Sequence, residues 1–188
     1  MFSLSLSNTI IIILVISFAI QQISQDYANT LTFSVLRTFT EPWRLVTAIF
    51  LHAHIIHLFA NTYSLYLIGN ALETKIKKID LLKIFFIGGI IGYIRQWAFY
   101  KLNYSTVILG LGSSGAVSPL LASAGLLMPE TKVNVFFIPI KIKYLVIIFY
   151  VFEIIAFAIG DTTTDHETHL VTGLFGVIYT RLFLWKQR

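Results

Sequence analysis

Gly112-Ser113-Ser114-Gly115-Ala116-Val117-Ser118-Pro119 stands where an irregular stretch gives way to an apolar run. Small residues there let backbones pack closely and leave a hydroxyl uncovered. A serine in an apolar helix is by itself a common structural residue, its hydroxyl bonded to the carbonyl one turn back. Ser114 gains weight from its company. Working outward, His57 and Asn61 lie near the start of an earlier apolar segment, and His169 lies near the start of a later one.

The composition sets the solvent. Of 188 residues, 56% are hydrophobic and 12% charged, with a mean hydropathy of +0.79. A soluble domain carries about 25% charged residues, so an integral membrane protein is expected. The chain has no cysteine, which excludes disulfide and thiolate chemistry. The net charge of +5 does not form a binding face, because the basic residues are scattered at the ends of apolar segments. Such scatter sets membrane topology, and no nucleic-acid partner is expected.

Six apolar segments are predicted. Residues 9–23 form an Ile-rich run that needs a few flanking residues to span, since a span takes roughly 20 residues. It lacks the basic flank and small-residue cleavage site of a signal peptide. Residues 26–53 mix Asp26, Arg37, Glu41, Pro42, Trp43 and Arg44 with aromatic and aliphatic residues, and read as a segment in the interface anchored by Trp43. Residues 54–73, 81–100, 114–128, 144–160 and 166–185 are the remaining spans. Gly88, Gly89 and Gly92 give the third a close-packing face. Arg95 and Gln96 near its end are expected to reach the interface or a neighbouring loop. The fourth is short and rich in small residues, which suits the middle of a bundle. Lys132, Lys141 and Lys143 lie on the connection to the fifth. The expected fold is an all-α, six-helix membrane bundle forming one domain over residues 1–188.

A cytoplasmic N-terminus places Lys75, Lys77, Lys78, Lys83, Lys132, Lys141, Lys143, Arg181, Lys186 and Arg188 inside, and Arg37, Arg44, Arg95 and Lys101 outside. Ten against four agrees with the positive-inside rule. The second, fourth and sixth spans then all run from outside to inside. His57, Asn61, Ser114 and His169 consequently share one height, in the outer third of the membrane.

Hydrolysis by a serine needs a base for its proton and donors for the oxyanion. His169 can be the base. His57 and Asn61, four apart, share a helix face, and both side chains can donate. The amide of Ser114 at a helix N-terminus is a further donor. No carboxylate stands out as a third member, so a Ser–His dyad is the simpler reading. A rival reading uses metal chemistry. His52, His54, His57, His166 and His169 lie on the outer side near Asp161, Asp165 and Glu167, and the pairs His54/His57 and His166/His169 have ligand spacing.

Over roughly residues 41–180 the chain resembles the rhomboid intramembrane serine proteases. Gly112-Ser113-Ser114-Gly115 is similar to the family's Gly-x-Ser-Gly. His57-Leu58-Phe59-Ala60-Asn61 is similar to its His-x-x-x-Asn. His169-Leu170 with Gly176, Trp43-Arg44, and Gly69 with Glu73 complete five matches in order. The resemblance implies Ser114 as nucleophile, His169 as general base, and His57 and Asn61 as oxyanion stabilisers. It also implies cleavage of single-span membrane proteins, without a cofactor.

Two positions depart from the pattern. Thr172 stands where the family has glycine, and Ser118 where many members carry a bulky residue beside the histidine. Members without the dyad act as non-catalytic, derlin-type binding factors, which is the alternative within the resemblance. A multi-pass protein of a prokaryotic plasma membrane is expected, from the lack of extra domains and of a transit peptide.

Overall fold

The computed structural model describes residues 4–162 and 164–185. Lys186 and Arg188, which entered the charge count, lie outside the described residues. The chain is mostly helical. Helix α1 (Leu6–Ile23) is followed by α2 (Gln25–Leu31), strand β1 (Phe33–Ser34) and α3 (Arg44–Thr47), which tightens into a 3-10 turn at Ala48–Phe50. Helix α4 (Ile55–Ser64) runs through a π turn at Leu65–Gly69 into α5 (Asn70–Leu72). Then come α6 (Lys78–Lys101), β2 (Leu109–Gly110), α7 (Ser114–Leu127), β3 (Lys132–Val135), β4 (Ile138–Lys141), α8 (Ile142–Ala158) and α9 (His166–Tyr179), which ends in a π turn at Thr180–Leu184.

Helix starts follow local chemistry. Ser5, His54 and Asp165 cap α1, α4 and α9 by accepting from Asn8 N, His57 N and Thr168 N, each meeting a donor that the first turn leaves unpaired. Helix α1 buries Ser7, Ile10, Leu14 and Ser17, the spacing of one helical face. Its other face leaves Ile12, Ile13, Val15 and Ile16 exposed. By length and composition α1 can cross a membrane alone. The pair Arg44–Phe50 and Ile55–Leu72 passes the same test together but is bent by 95°.

Helix α8 is inverted relative to a soluble helix. Phe152, Ile154 and Ile155 are more than half exposed, while Glu153 is 2% exposed. An apolar outside around a buried acid suits a lipid solvent.

Helix α7 sits among α6, α8 and α9. Pro119, inside α7, packs against Gly88 of α6 and Gly176 of α9. A Cβ on Gly88 would stand 2.6 Å from Pro119 Cγ, and one on Gly176 would stand 2.7 Å from Pro119 Cα. The expected all-α description misses two short antiparallel ladders. Phe33 pairs with Gly110 and Ser34 with Leu109, and β3 pairs with β4 as a hairpin. The second ladder is the lysine-bearing connection between α7 and α8.

The first ladder matters for the site, because it ties the segment before α3 to the loop that leads into α7. That loop is held from three sides. Gln96 Nε2 donates to Leu109 O at 3.0 Å, Tyr93 Oη to Gly112 O at 3.1 Å, and Gly112 N to Ala48 O at 2.9 Å. Gln96 therefore reaches a neighbouring loop, as expected. Arg95 reaches Asp165, at 2.7 and 2.9 Å, and also contacts Glu167. Arg44 is buried at 4% exposure. It pairs with Glu41 and donates to Asn29 O and Thr32 O at 2.6 and 2.7 Å. Glu73 accepts from Leu6 N and Ser7 N at the start of α1.

Candidate active site

The first turns of α4, α7 and α9 meet at one end of the bundle. Gly112, at φ +119°, takes a backbone conformation open mainly to glycine and turns the chain into α7. Its bare side faces the His57 ring, and a Cβ there would stand 2.6 Å from His57 Cε1. Ser113, fully buried, makes a hydrogen bond of 3.2 Å with His52 Nε2. Ser114 begins α7, where the first backbone N–H groups have no partner within the helix. Gly115 faces α9, where a Cβ would stand 3.1 Å from Thr168 Cγ2.

His169 is 5% exposed. Its backbone carbonyl accepts from Ser118 Oγ at 2.8 Å. Its Nδ1 lies 3.0 Å from Glu153 Oε1 as an ion-pair contact that does not meet hydrogen-bond geometry. Its buried Nε2 has no hydrogen-bond partner. Among the described residues no hydrogen bond joins Ser114 to His169. The helices bring the two segments together without closing that contact. Asn61 is buried, and its Nδ2 donates to His57 O at 2.9 Å along its own helix.

Three histidines gather at the start of α4. The His57 ring lies 4.9 Å from His52 and 5.9 Å from His54. Burial, and then neighbouring His57, hold the His52 imidazole down to about 3, so it is neutral at working pH. The five histidines do not form one metal-binding group. The residues whose ligand atoms lie within 4.8 Å of one another are Glu153, His166 and His169, a set able to hold a divalent ion.

Both departures from the expected pattern have a local accommodation. The Thr172 methyl fits beside Gly92 and Gly115, at 3.7 and 3.9 Å from the Cβ each would carry, and its hydroxyl donates to Thr168 O at 2.8 Å. Ser118 is too small to cover His169, and the Phe149 ring from α8 lies 5.7 Å from the imidazole instead. Ser118 joins α7 to α8 as well, since its Oγ is 2.9 Å from Tyr150 Oη, which donates to Ser118 O at 2.8 Å.

Glu153 was missed in the sequence, although a single acid in a 17-residue apolar helix is a signal in its own right. Two grooves, of about 410 and 310 Å³, lie between α1 and α4 and among α7, α8 and α9, and neither is lined by Ser114 or His169.

Comparison with known proteins bears on this arrangement. The Rhomboid domain family model matches residues 40–186. The chain is 27% identical over 156 residues to presenilin-associated rhomboid-like protein A, mitochondrial, of Danio rerio, covering 77% of this chain and 39% of that protein. It is 40% identical over 77 residues to the rhomboid protein YdcA of Bacillus subtilis (strain 168), covering 41% of this chain and 37% of that one. It is 27% identical over 98 residues to inactive RHOMBOID-like protein 8 of Arabidopsis thaliana, covering 52% of this chain and 28% of that one. The chain thus spans about two fifths or less of the length of these relatives.

Proposed function

The chain belongs to the rhomboid family, and from that premise we propose that it is an intramembrane serine endopeptidase working through Ser114 and His169. The observation that carries this reading is the convergence of the first turns of α4, α7 and α9, with a buried His169 Nε2 left unpartnered.

In the proposed mechanism Ser114 Oγ attacks the scissile carbonyl as its proton passes to His169 Nε2. His57, Asn61 and the Ser114 amide hold the oxyanion, with Asn61 released from His57 O to do so. His169 then protonates the leaving amine, and water, activated by the same nitrogen, resolves the acyl-enzyme. Substrates are single-span membrane proteins cut near the outer end of a helix that unwinds easily.

Family members are integral membrane proteins. The proposed topology has six spans, formed by α1, α4 with α5, α6, α7, α8 and α9, with the N-terminus cytoplasmic. The basic residues support it, ten against four. A prokaryotic plasma membrane is the proposed location, supported by the bacterial relative. Mitochondrial relatives make a mitochondrial membrane the alternative.

The inactive relative favours a second reading, a non-catalytic binding factor for membrane proteins. The test is cleavage of a single-span reporter in liposomes by wild type, Ser114→Ala and His169→Ala. Cleavage lost in both variants supports proteolysis. Binding of the reporter without turnover in all three supports the second reading.

A further inference from the structure

Glu153 is the one acidic residue of α8 and is nearly inaccessible, at 2% exposure, while its neighbours Phe152 and Ile154 are 57% and 54% exposed. A carboxylate in such a helix is unfavourable unless partnered. It has two partners, one on each oxygen. His166 Nδ1 is 2.6 Å from Oε2 and His169 Nδ1 is 3.0 Å from Oε1. We propose that Glu153 is a positioning residue for His169, keeping the proton on Nδ1 so that the lone pair of Nε2 is available to Ser114. The proposal rests on the reading of Ser114 and His169 given above.

A neutral imidazole has one N–H and one lone pair, and the group beside one nitrogen decides which form prevails. A carboxylate beside Nδ1 favours the proton there. It also stabilises the imidazolium that forms when the Ser114 proton arrives on Nε2. Glu153 takes up no proton itself, and the Nε2 proton goes on to the leaving amine. At 3.0 Å the two atoms are already within hydrogen-bond distance.

Glu153 is fixed from its far side. His166 Nε2 is 3.0 Å from Asp161 Oδ2, so a chain of polar contacts runs from Asp161 through His166 and Glu153 to His169. Among the described residues, the titratable groups in hydrogen-bond or ion-pair contact with Glu153 are His166 and His169 from α9, and Asp161 from the loop before α9 contacts His166 in turn.

The test uses the full chain in detergent micelles, with Glu153→Gln and Glu153→Asp, each shown to be folded by its thermal transition. The first readout is the rate at which a fluorophosphonate labels Ser114 between pH 5 and 9, with and without EDTA. The second is which ring nitrogen of His169 carries the proton, read by 15N-histidine NMR, which does not depend on catalysis.

Glu153→Gln is expected to slow labelling by about a hundredfold or more, as loss of the correct tautomer does elsewhere. It should also shift the neutral His169 ring toward the form protonated on Nε2, since no carboxylate then faces Nδ1. Glu153→Asp keeps the carboxylate, so it should keep the proton on Nδ1 and recover part of the rate. If Glu153→Gln does not fold, the wild-type tautomer decides, and a His169 protonated on Nε2 there would overturn the proposal. A wild-type rate and tautomer in Glu153→Gln would overturn it as well, because a purely structural tie between α8 and α9 predicts that result. Labelling of wild type abolished by EDTA would also overturn it, and would assign Glu153, His166 and His169 to a metal ion. If wild type is not labelled at all, the catalytic reading fails, and the tautomer alone decides whether Glu153 governs His169.

Discussion

Gly112 and His57 touch without a side chain on the glycine: a Cβ on Gly112 would stand 2.6 Å from His57 Cε1 and 2.9 Å from Nε2, and the backbone there has φ +119°. Gly112→Ala therefore meets both a strained dihedral and a steric block. The expected outcome is a loss of stability of about 1–3 kcal/mol and labelling of Ser114 slowed at least tenfold, because His57 must move. Gly160→Ala is the control. Its φ is +74° with open space around it, so it should cost about 1 kcal/mol and leave the labelling rate unchanged. Thermal unfolding and labelling rates measured on both variants check the pair.

Ser118 and Tyr150 test the link between α7, α8 and α9. Tyr150→Phe removes the bonds to Ser118 Oγ and Ser118 O. Ser118→Ala removes the bond to His169 O as well. Each is expected to cost about 0.6–1.7 kcal/mol, as interhelical hydrogen bonds do in membrane bundles. The double variant should cost less than the sum of the two. A double-mutant cycle on thermal stability measures the coupling.

Gly176→Ala is expected to be among the most damaging substitutions in the bundle. The added methyl would stand 2.7 Å from Pro119 Cα and 2.9 Å from Pro119 C, and backbone cannot swing away as a side chain can. Separation of α7 from α9 would cost about 1–3 kcal/mol and slow labelling of Ser114. Loss of thermal stability, compared with Ala at the solvent-facing Gly160, is the measurement.

The helices that form match the expected apolar segments to within a few residues, because an apolar run bounded by polar residues marks a helix in the sequence, while by length and hydropathy α1 alone qualifies unbroken as a span. The meeting of the segments that carry the expected site was legible in part. Gly112, Ser114 and His57 declare themselves through small-residue and His-x-x-x-Asn spacing, and their helix starts do converge. The ladder of Phe33–Ser34 with Leu109–Gly110 was not legible. Strands of two residues carry no periodicity, and their pairing is long-range. The hairpin of β3 and β4 escaped for a related reason. Its turn residues, Phe136 and Phe137, have φ of 45° and 73° and are not the Asn-Gly type that announces such a turn. Glu153 was hidden by its surroundings, since an apolar window averages away one acid. Only the folded chain brings residues 153, 166 and 169 together.

Acid should weaken the fold through His52. Its folded-state pKa, about 3, lies below the ordinary value of 6.5. The unfolded chain therefore binds a proton that the native state refuses between those values. Stability contributed by the neutral form is full above about pH 6.5 and falls as pH drops toward 3, by up to about 1.4 kcal/mol per unit. His52→Gln removes the titrating group and should flatten that part of the profile. Thermal midpoints from pH 7 to 4.5 for wild type and variant check the sign. A wild-type midpoint that rises on acidification would refute it.

The central claim is that Ser114 is activated by His169. The most direct measurement is fluorophosphonate labelling of the detergent-solubilised chain, comparing wild type with Ser114→Ala and His169→Ala, each with and without EDTA. The account predicts labelling of wild type that EDTA leaves unchanged and that both substitutions abolish. A folded wild type that takes no label, or one whose labelling survives Ser114→Ala, would contradict it.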